Sequence, residues 1–469
     1  MKIKSLNCFL GLITAAGVFA SGCGANKIES SNLQTQPSVI NAAITMSSVE
    51  TEETVTTTPV KKQESTFVMT SMTPLASPSI VSTSGTNFTT TKVVLPSDSI
   101  QTIMSRMKLK EKICQMFIVT PEGLTGYNGA VTMSGDLTKE AIEDYPVGGV
   151  IYFADNLEDA PQTYQMLSDI QNYSREDNGI GLFLAVDEEG GTVARVADSL
   201  KTTAFYDMEF YGEKHDSEEA YAIGNIIGND IKTFGFNVDF APVADVNINP
   251  ENELGSRIFS DDPYVVSDMV SGVVKGLEDS GVCATLKHFP GLGAGDGNTH
   301  DDDFVFIDRT YQELMESEFV AFRGGISAGS DFVMVGHQIT SASGDDLPGD
   351  LSYTVVTQWL KNTLGFNGIA ITDAQNMAAI TQNYTPGDAA VASIQAGIDI
   401  ILMPMDLSNA INGVYEAVKS GKISEARINE SVYKILSKKN ELGLLGTEED
   451  LKNMTNTNTT TATTALLGF

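Results

Sequence analysis

Between residues 113 and 404 the chain repeats one pattern: a short unbroken apolar run, a turn, then a longer stretch that is amphipathic or polar. The apolar runs occupy residues 113–119, 147–153, 182–187, 238–242, 282–287, 332–337, 368–373 and 399–404. They lack the in–out alternation of a half-exposed strand, and unbroken apolarity is what strands covered on both faces require. Helical spacing is clearest over residues 217–234, over 263–280 behind Pro263, and over 311–328. It recurs over 424–442, where Ile428, Val432, Ile435 and Leu436 share a face. Eight strand–helix alternations predict a (β/α)8 TIM-type barrel, a single catalytic domain over residues 96–451. A doubly wound open sheet is the alternative, and the count of eight favours the barrel.

The flanks break the pattern. Lys2 and Lys4 precede an apolar run over residues 6–19 that is too short to span a bilayer comfortably. Ala20-Ser21-Gly22-Cys23 follows, and the whole resembles a bacterial lipoprotein signal. The resemblance implies removal of residues 1–22 and lipidation of Cys23, which would hold the protein outside the cytoplasm by a lipid anchor alone. An ordinary secretory signal is the alternative. Residues 23–95 are rich in Ser and Thr and read as a flexible tether; the Thr/Asn-rich residues 452–469 read as a disordered tail.

Charge and cysteines narrow the choices. The 61 Asp and Glu outnumber the 29 Lys and Arg, for a net charge of −32. This argues against nucleic-acid binding through a basic face. Cys8 leaves with the signal, while Cys114 and Cys283 lie inside apolar strand runs and read as buried thiols. No Cys/His spacing suggests a metal site, and no cofactor is expected.

Candidate chemistry gathers where the strands end. The third run closes at Asp187, followed by Glu188-Glu189-Gly190-Gly191. Asp245 and Arg257 follow the fourth, Lys287-His288 close the fifth, His337 the sixth and Asp373 the seventh. Strand ends are where barrels of this kind carry their active sites. Plainer readings exist for each residue. Asp373 and Asp187 suit helix caps, Arg257 a structural ion pair, His300 a solvated loop, and His337 a satisfied histidine at the core edge. Alternation turns only one of Lys287 and His288 inward. The convergence of these groups on one rim favours a site. Glycoside hydrolysis fits it, needing a carboxylate at the anomeric carbon and a proton donor at the leaving oxygen. Asp373 suits the first role. No second acid is equally placed in the sequence, and a histidine titrating near neutrality can donate the proton.

The stretch Lys287-His288-Phe289-Pro290-Gly291-Leu292-Gly293, followed by Asn298-Thr299-His300, resembles the signature of glycoside hydrolase family 3 β-N-acetylglucosaminidases. Further matches are Val186 to Gly191 with Arg195, Phe240 to Val246, Ser256-Arg257-Ile258-Phe259, and Ile371-Thr372-Asp373 with Met377. The resemblance implies a retaining exo-β-N-acetylhexosaminidase acting on N-acetylglucosamine-containing glycans such as peptidoglycan fragments. Asp373 would be the nucleophile and His300 the general acid/base, with Asp187, Arg195, Arg257, Lys287 and His288 binding the sugar. The short stretch after the barrel leaves no room for the second domain that supplies a carboxylate acid/base in β-glucosidases of the family, which favours the loop-histidine type.

The chain departs from the family where Asn298 replaces the Asp that pairs with the loop histidine. An amide orients the imidazole but brings no charge; Asp296, Asp301 and Asp302 are other partners for it. Leu292 and Ala374 replace a common His and a common Asp. A phosphorylase or a β-glucosidase of the same fold is the alternative enzyme. A non-catalytic sugar-binding lipoprotein is the alternative of another class, and the retained Asp373 and His300 argue against it.

Overall fold

The computed structural model describes residues 97–297 and 304–446. The signal, Cys23, the tether, the tail, and Asn298, His300, Asp301 and Asp302 lie outside the described residues.

Each of the eight apolar runs contains a strand. These are β1 (Phe117–Val119), β2 (Gly149–Ile151), β3 (Phe183–Val186), β4 (Val238–Asp239), β5 (Cys283–Phe289), β6 (Phe332–Val335), β7 (Ile369–Ala374) and β8 (Ile400–Leu402). Among the described residues they close a barrel in the order β1-β8-β7-β6-β5-β4-β3-β2. Every pairing in it is parallel. The pairing of Phe117 with Ile401 joins the first strand to the last and excludes the open sheet. Inside, Phe183 of β3 and Phe332 of β6 meet edge to face with ring centroids 5.4 Å apart. These strands are not neighbours, so the rings meet across a filled interior, as barrel cores of this size require.

The helices follow the caps in the sequence. Asp216 accepts from the N–H of Glu218 and Glu219 and starts the helix Ser217–Lys232. Asp262 accepts from Tyr264 N–H at 2.9 Å ahead of Pro263–Ser280, with Pro263 in the first turn. The two helices pack closely because Gly224 carries no side chain; a Cβ there would strike the Val273 backbone. Among the described residues no helix is long and apolar enough to cross a membrane.

Two expectations need correction. Ile113 and Cys114 are not in a strand; they close the helix Leu109–Cys114, so the first apolar run spans a helix end and a strand. Apolarity alone does not separate the two. Cys114 and Cys283 are both buried free thiols. The helix expected over 311–328 breaks into Tyr311–Glu316 and Glu318–Ala328. Glu318 is fully buried, and both its carboxylate oxygens take Arg309 N–H groups at 3.2 Å. That ion pair turns the chain at Ser317, where no Gly or Pro announces a break.

The base of the barrel carries its own ion cluster. Asp399, just before β8, is fully buried. It accepts from Ser431 Oγ at 2.6 Å and pairs with Lys361, Arg427 and Lys434, each at 3.2 Å. Burial alone would raise its pKa; the three cations outweigh burial and hold it well below the carboxylate range. The cluster fastens the C-terminal helix Glu425–Glu441 to the barrel floor.

Candidate active site

At the opposite face the strand ends bring together residues far apart in the chain. Lys287 of β5 is 3% exposed. Its Nζ lies 2.8 Å from Asp187 Oδ1, just past β3, and 2.6 Å from Glu189 Oε1. Arg257 grips Glu189 with two parallel bonds, Nε to Oε2 at 2.8 Å and Nη2 to Oε1 at 2.7 Å. Burial alone would raise the Glu189 pKa, but Lys287 and Arg257 pull it down to about 2. Burial alone would lower Lys287; the Asp187 and Glu189 carboxylates hold it above its ordinary value. At neutral pH this corner is a set of fixed, alternating charges suited to holding hydroxyl groups.

Lys287 and His288 are both held by carboxylates, where alternation predicted one turned inward. The pairing of β5 with β6 slips register between Leu286 and Phe289, which removes the alternation there. Asp245 is the second anchor. Its Oδ2 lies 2.8 Å from His288 Nδ1 and accepts the His288 backbone N–H at 3.0 Å. Its Oδ1 accepts from Leu292 N–H at 2.6 Å, so one carboxylate fixes both the imidazole and the following turn. A carboxylate only accepts here, so Nδ1 carries the proton.

Asp373 lies across the barrel on β7. It does not cap the next helix, Ala378–Thr381, whose N-cap is Met377. Its Oδ1 accepts from Ala374 N–H at 2.8 Å. Burial would raise its pKa, but His288, His337, the Ala374 N–H and Lys287 more than offset this and hold it below the ordinary value. The carboxylate is therefore ionised at neutral pH.

His337 is the satisfied core-edge histidine of the plainer reading. Its Nδ1 lies 2.9 Å from Asp350 Oδ1 and its Nε2 lies 3.0 Å from the Ala374 carbonyl oxygen. Both partners are acceptors, so both ring nitrogens carry protons. Burial would strip one; the Asp350 carboxylate prevents it and the pKa is pushed up to about 9. Asp350 Oδ2 accepts in turn from Gln375 Nε2 at 3.1 Å and Ser393 Oγ at 3.3 Å. His337 thus holds the segment that presents Asp373 and sets a positive charge near it.

Arg195 follows the hairpin that carries Glu189 and opens the short helix Arg195–Leu200. Its guanidinium carbon lies 5.6 Å from the Phe153 ring centroid, and its buried Nε has no hydrogen-bond partner among the described residues. A buried unpaired donor is costly, and it suits an oxygen of a bound ligand. Glu188 seats this helix by accepting from Val196 N–H at 2.6 Å and Ala197 N–H at 3.1 Å. Burial pushes its pKa up to about 7 despite those bonds.

The structure therefore gathers Asp187, Arg257, Lys287, His288 and Asp373 at one end of the barrel, with Arg195 beside the Glu189 hairpin. Three contributors escaped the sequence reading. Glu189 hid within a run of three acids, where only the fold shows that Asp187 and Glu189 face the cations while Glu188 turns to the next helix. Asp350 and Gln375 carry no local signal. Their roles come from partners in other elements. Among the described residues no cluster of three or more His, Cys, Asp or Glu is placed to hold a metal ion.

A closed (β/α)8 barrel with an ionised carboxylate and a group of fixed charges at its strand ends has the elements that glycoside hydrolysis requires. Comparison with known proteins makes this specific. Residues 108–438 match the glycosyl hydrolase family 3 N terminal domain, and the chain belongs to that family. It is 30% identical to beta-hexosaminidase A of Pseudoalteromonas piscicida over 65% of this chain and 55% of that protein. It is 29% identical to the beta-hexosaminidase of Nitrosomonas eutropha over 61% of this chain and 84% of that one. Among solved structures, a glycoside hydrolase family 3 beta-N-acetylglucosaminidase from a Paenibacillus strain superposes with a TM-score of 0.67 at 31% identity. That match covers 74% of this chain and 68% of the other. The chain thus spans little more than half of the Pseudoalteromonas enzyme.

Proposed function

We propose that the chain is a retaining exo-β-N-acetylhexosaminidase that releases N-acetylglucosamine from peptidoglycan fragments or other glycans. The observation that carries this reading is Asp373. It is an ionised carboxylate at a strand end, within the electrostatic reach of His288, His337 and Lys287. The names of the relatives supply the sugar.

In the proposed reaction Asp373 attacks the anomeric carbon while His300 gives its proton to the leaving glycosidic oxygen. The bond between sugar and aglycone breaks and a glycosyl ester of Asp373 forms. His300 then takes a proton from water, whose oxygen displaces Asp373 and restores the starting configuration. Asp187, Arg195, Arg257, Lys287 and His288 hold the sugar hydroxyls. Cys23 carries the lipid that keeps the enzyme at the outer face of the membrane.

Turnover of a chromogenic N-acetylglucosaminide, measured beside the glucoside with and without phosphate, tests the reading. Hydrolysis of the first without phosphate dependence is expected. Preference for the glucoside, or a requirement for phosphate, would replace it with one of the alternative enzymes. A mechanism-based fluorosugar should label Asp373, and labelling of another carboxylate overturns the assignment. The wild type should partition with membranes and Cys23→Ser should not; equal partitioning of both removes the anchor.

A further inference from the structure

A strap over residues 205–212 crosses the rim beside the charged corner. It is tied down by Asp207. Oδ1 of Asp207 accepts from Thr192 N–H at 2.7 Å and Thr192 Oγ1 at 2.8 Å, and Oδ2 accepts from Ser256 Oγ at 2.7 Å. One tie is the hairpin turn that follows Glu189; the other is the residue before Arg257. Gly191, at φ +60°, lies directly beneath, and a Cβ there would collide with the Asp207 backbone. Phe205 and Met208 pack inward over Gly190.

Tyr206 and Phe210 face the other way. They are 68% and 42% exposed, and their ring centroids lie 4.7 Å apart. Beneath them Tyr211 is buried, with its ring centroid 5.2 Å from that of Phe210. Lys214 Nζ sits 4.4 Å from the Phe210 centroid and pairs with Glu219 at 2.8 Å. Phe210 is thereby supported on several sides, and Tyr206 is the more open ring of the pair.

Single exposed aromatics need no explanation. A ring as open as Tyr206, packed at 52° against Phe210 on a strap whose two anchors adjoin the charged corner, is different. Two rings are far too small for a protein interface, which covers roughly 800 Å² on each partner. They match the size of one pyranose, which has an apolar C–H face and a polar edge. Tyrosine offers the complementary combination of apolar body and hydroxyl tip.

We propose that Tyr206, backed by Phe210, forms an accessory sugar subsite whose exposed ring stacks a further pyranose of a bound glycan. The subsite sits on the strap whose anchors, Thr192 and Ser256, adjoin the Arg257–Glu189 corner. It rests on the hydrolase reading only for the identity of the glycan.

The probe is an N-acetylglucosamine trisaccharide with sulfur linkages, which resists hydrolysis, compared with free N-acetylglucosamine by calorimetry on the full chain. Tyr206→Ala and Phe210→Ala should each weaken trisaccharide binding by about fivefold, the size of one ring-stacking contact. Their effect on the monosaccharide should stay below twofold. Tyr206→Trp should retain trisaccharide affinity. Equal losses for the two ligands, or no loss for either, overturn the subsite. If the wild type does not cut the oxygen-linked trisaccharide but its binding still depends on Tyr206, the hydrolase reading falls and the subsite stands.

Discussion

The barrel carries two clusters of buried ions, one at each end, and they use the same chemistry for opposite ends. At the base, Asp399 collects three cations and a hydroxyl. All of those partners belong to helices, and the carboxylate itself is sealed from water. At the rim, Glu189 is nearly as deeply buried and collects two cations. The outer partners are about equally exposed at the two ends: Arg257 and Asp187 at 22% and 16%, Lys361, Arg427 and Lys434 at 15%, 18% and 21%. What differs is position: the base cluster lies where the strands start and joins elements of the fold, and the rim cluster lies where they end, the face on which barrels of this kind bind their ligands. A buried ion cluster therefore does not announce a site; its place relative to the strand direction does.

The comparison breaks first at Asp373. On the proposed reading Asp373→Asn should cut turnover by on the order of ten-thousandfold, because it removes the carboxylate that forms the glycosyl ester. The urea unfolding midpoint should hardly move. A large loss of stability instead would put Asp373 in the same class as Asp399. The converse variant, Asp399→Asn, leaves three cations without their counter-charge. It should cost roughly 3–5 kcal/mol in urea unfolding, with KM for an aryl N-acetylglucosaminide unchanged.

Arg257→Ala removes one rim cation from its carboxylate and, on the proposed reading, from the sugar. It should weaken product binding by roughly 1.5–3 kcal/mol, the usual worth of a charged hydrogen bond. Unchanged product affinity would move the pocket away from this corner. His337 supplies a pH test. Its pKa is raised from the ordinary 6.5 to about 9. Its contribution to stability is thus fully present below pH 6.5 and is lost as pH rises through about 9. The stability gap between wild type and His337→Gln should shrink across that window, as read from unfolding midpoints. A gap that stays constant from pH 6 to 10 would mean that His337 is neutral.

The smallest effect belongs to Asn298. If no neighbouring Asp serves His300, Asn298→Asp should raise the pKa of the acid-donor limb of the pH–rate profile. It should also speed substrates with poor leaving groups, while activated aryl substrates change little at the glycosylation step. No change in either would leave Asp296, Asp301 or Asp302 as the partner, or another group as the donor. His300→Ala then decides between these, since retained turnover of a poor leaving group rules His300 out.

The barrel was legible because its strands are buried on both faces, so each had to be an unbroken apolar run. The charged corner was legible in part for the same reason. A Lys-His pair or an Asp at the end of such a run stands out against Val, Ile and Phe. What escaped was set by tertiary contact. Glu318 breaks a helix through Arg309, with no breaker residue nearby in the sequence. Asp350 acts through His337, thirteen positions away, and Gln375 braces it from another element. A run of three acids gives no hint that the first and third turn toward a lysine about a hundred residues later while the second seats a helix. The roles of Asn298 and His300 rest on the sequence resemblance.

The shared carboxylate of Glu189 has an evolutionary consequence. Lys287 and Arg257 each neutralise it, so losing either cation leaves the other to balance the buried charge, and losing Glu189 strands Arg257 and leaves Lys287 to Asp187 alone. Substitutions at the three positions should therefore be strongly epistatic. A lineage changing its sugar preference would find these residues movable only as a block. The more independent anchors, Asp245 with His288 and the strap at Asp207, would be free to drift one step at a time.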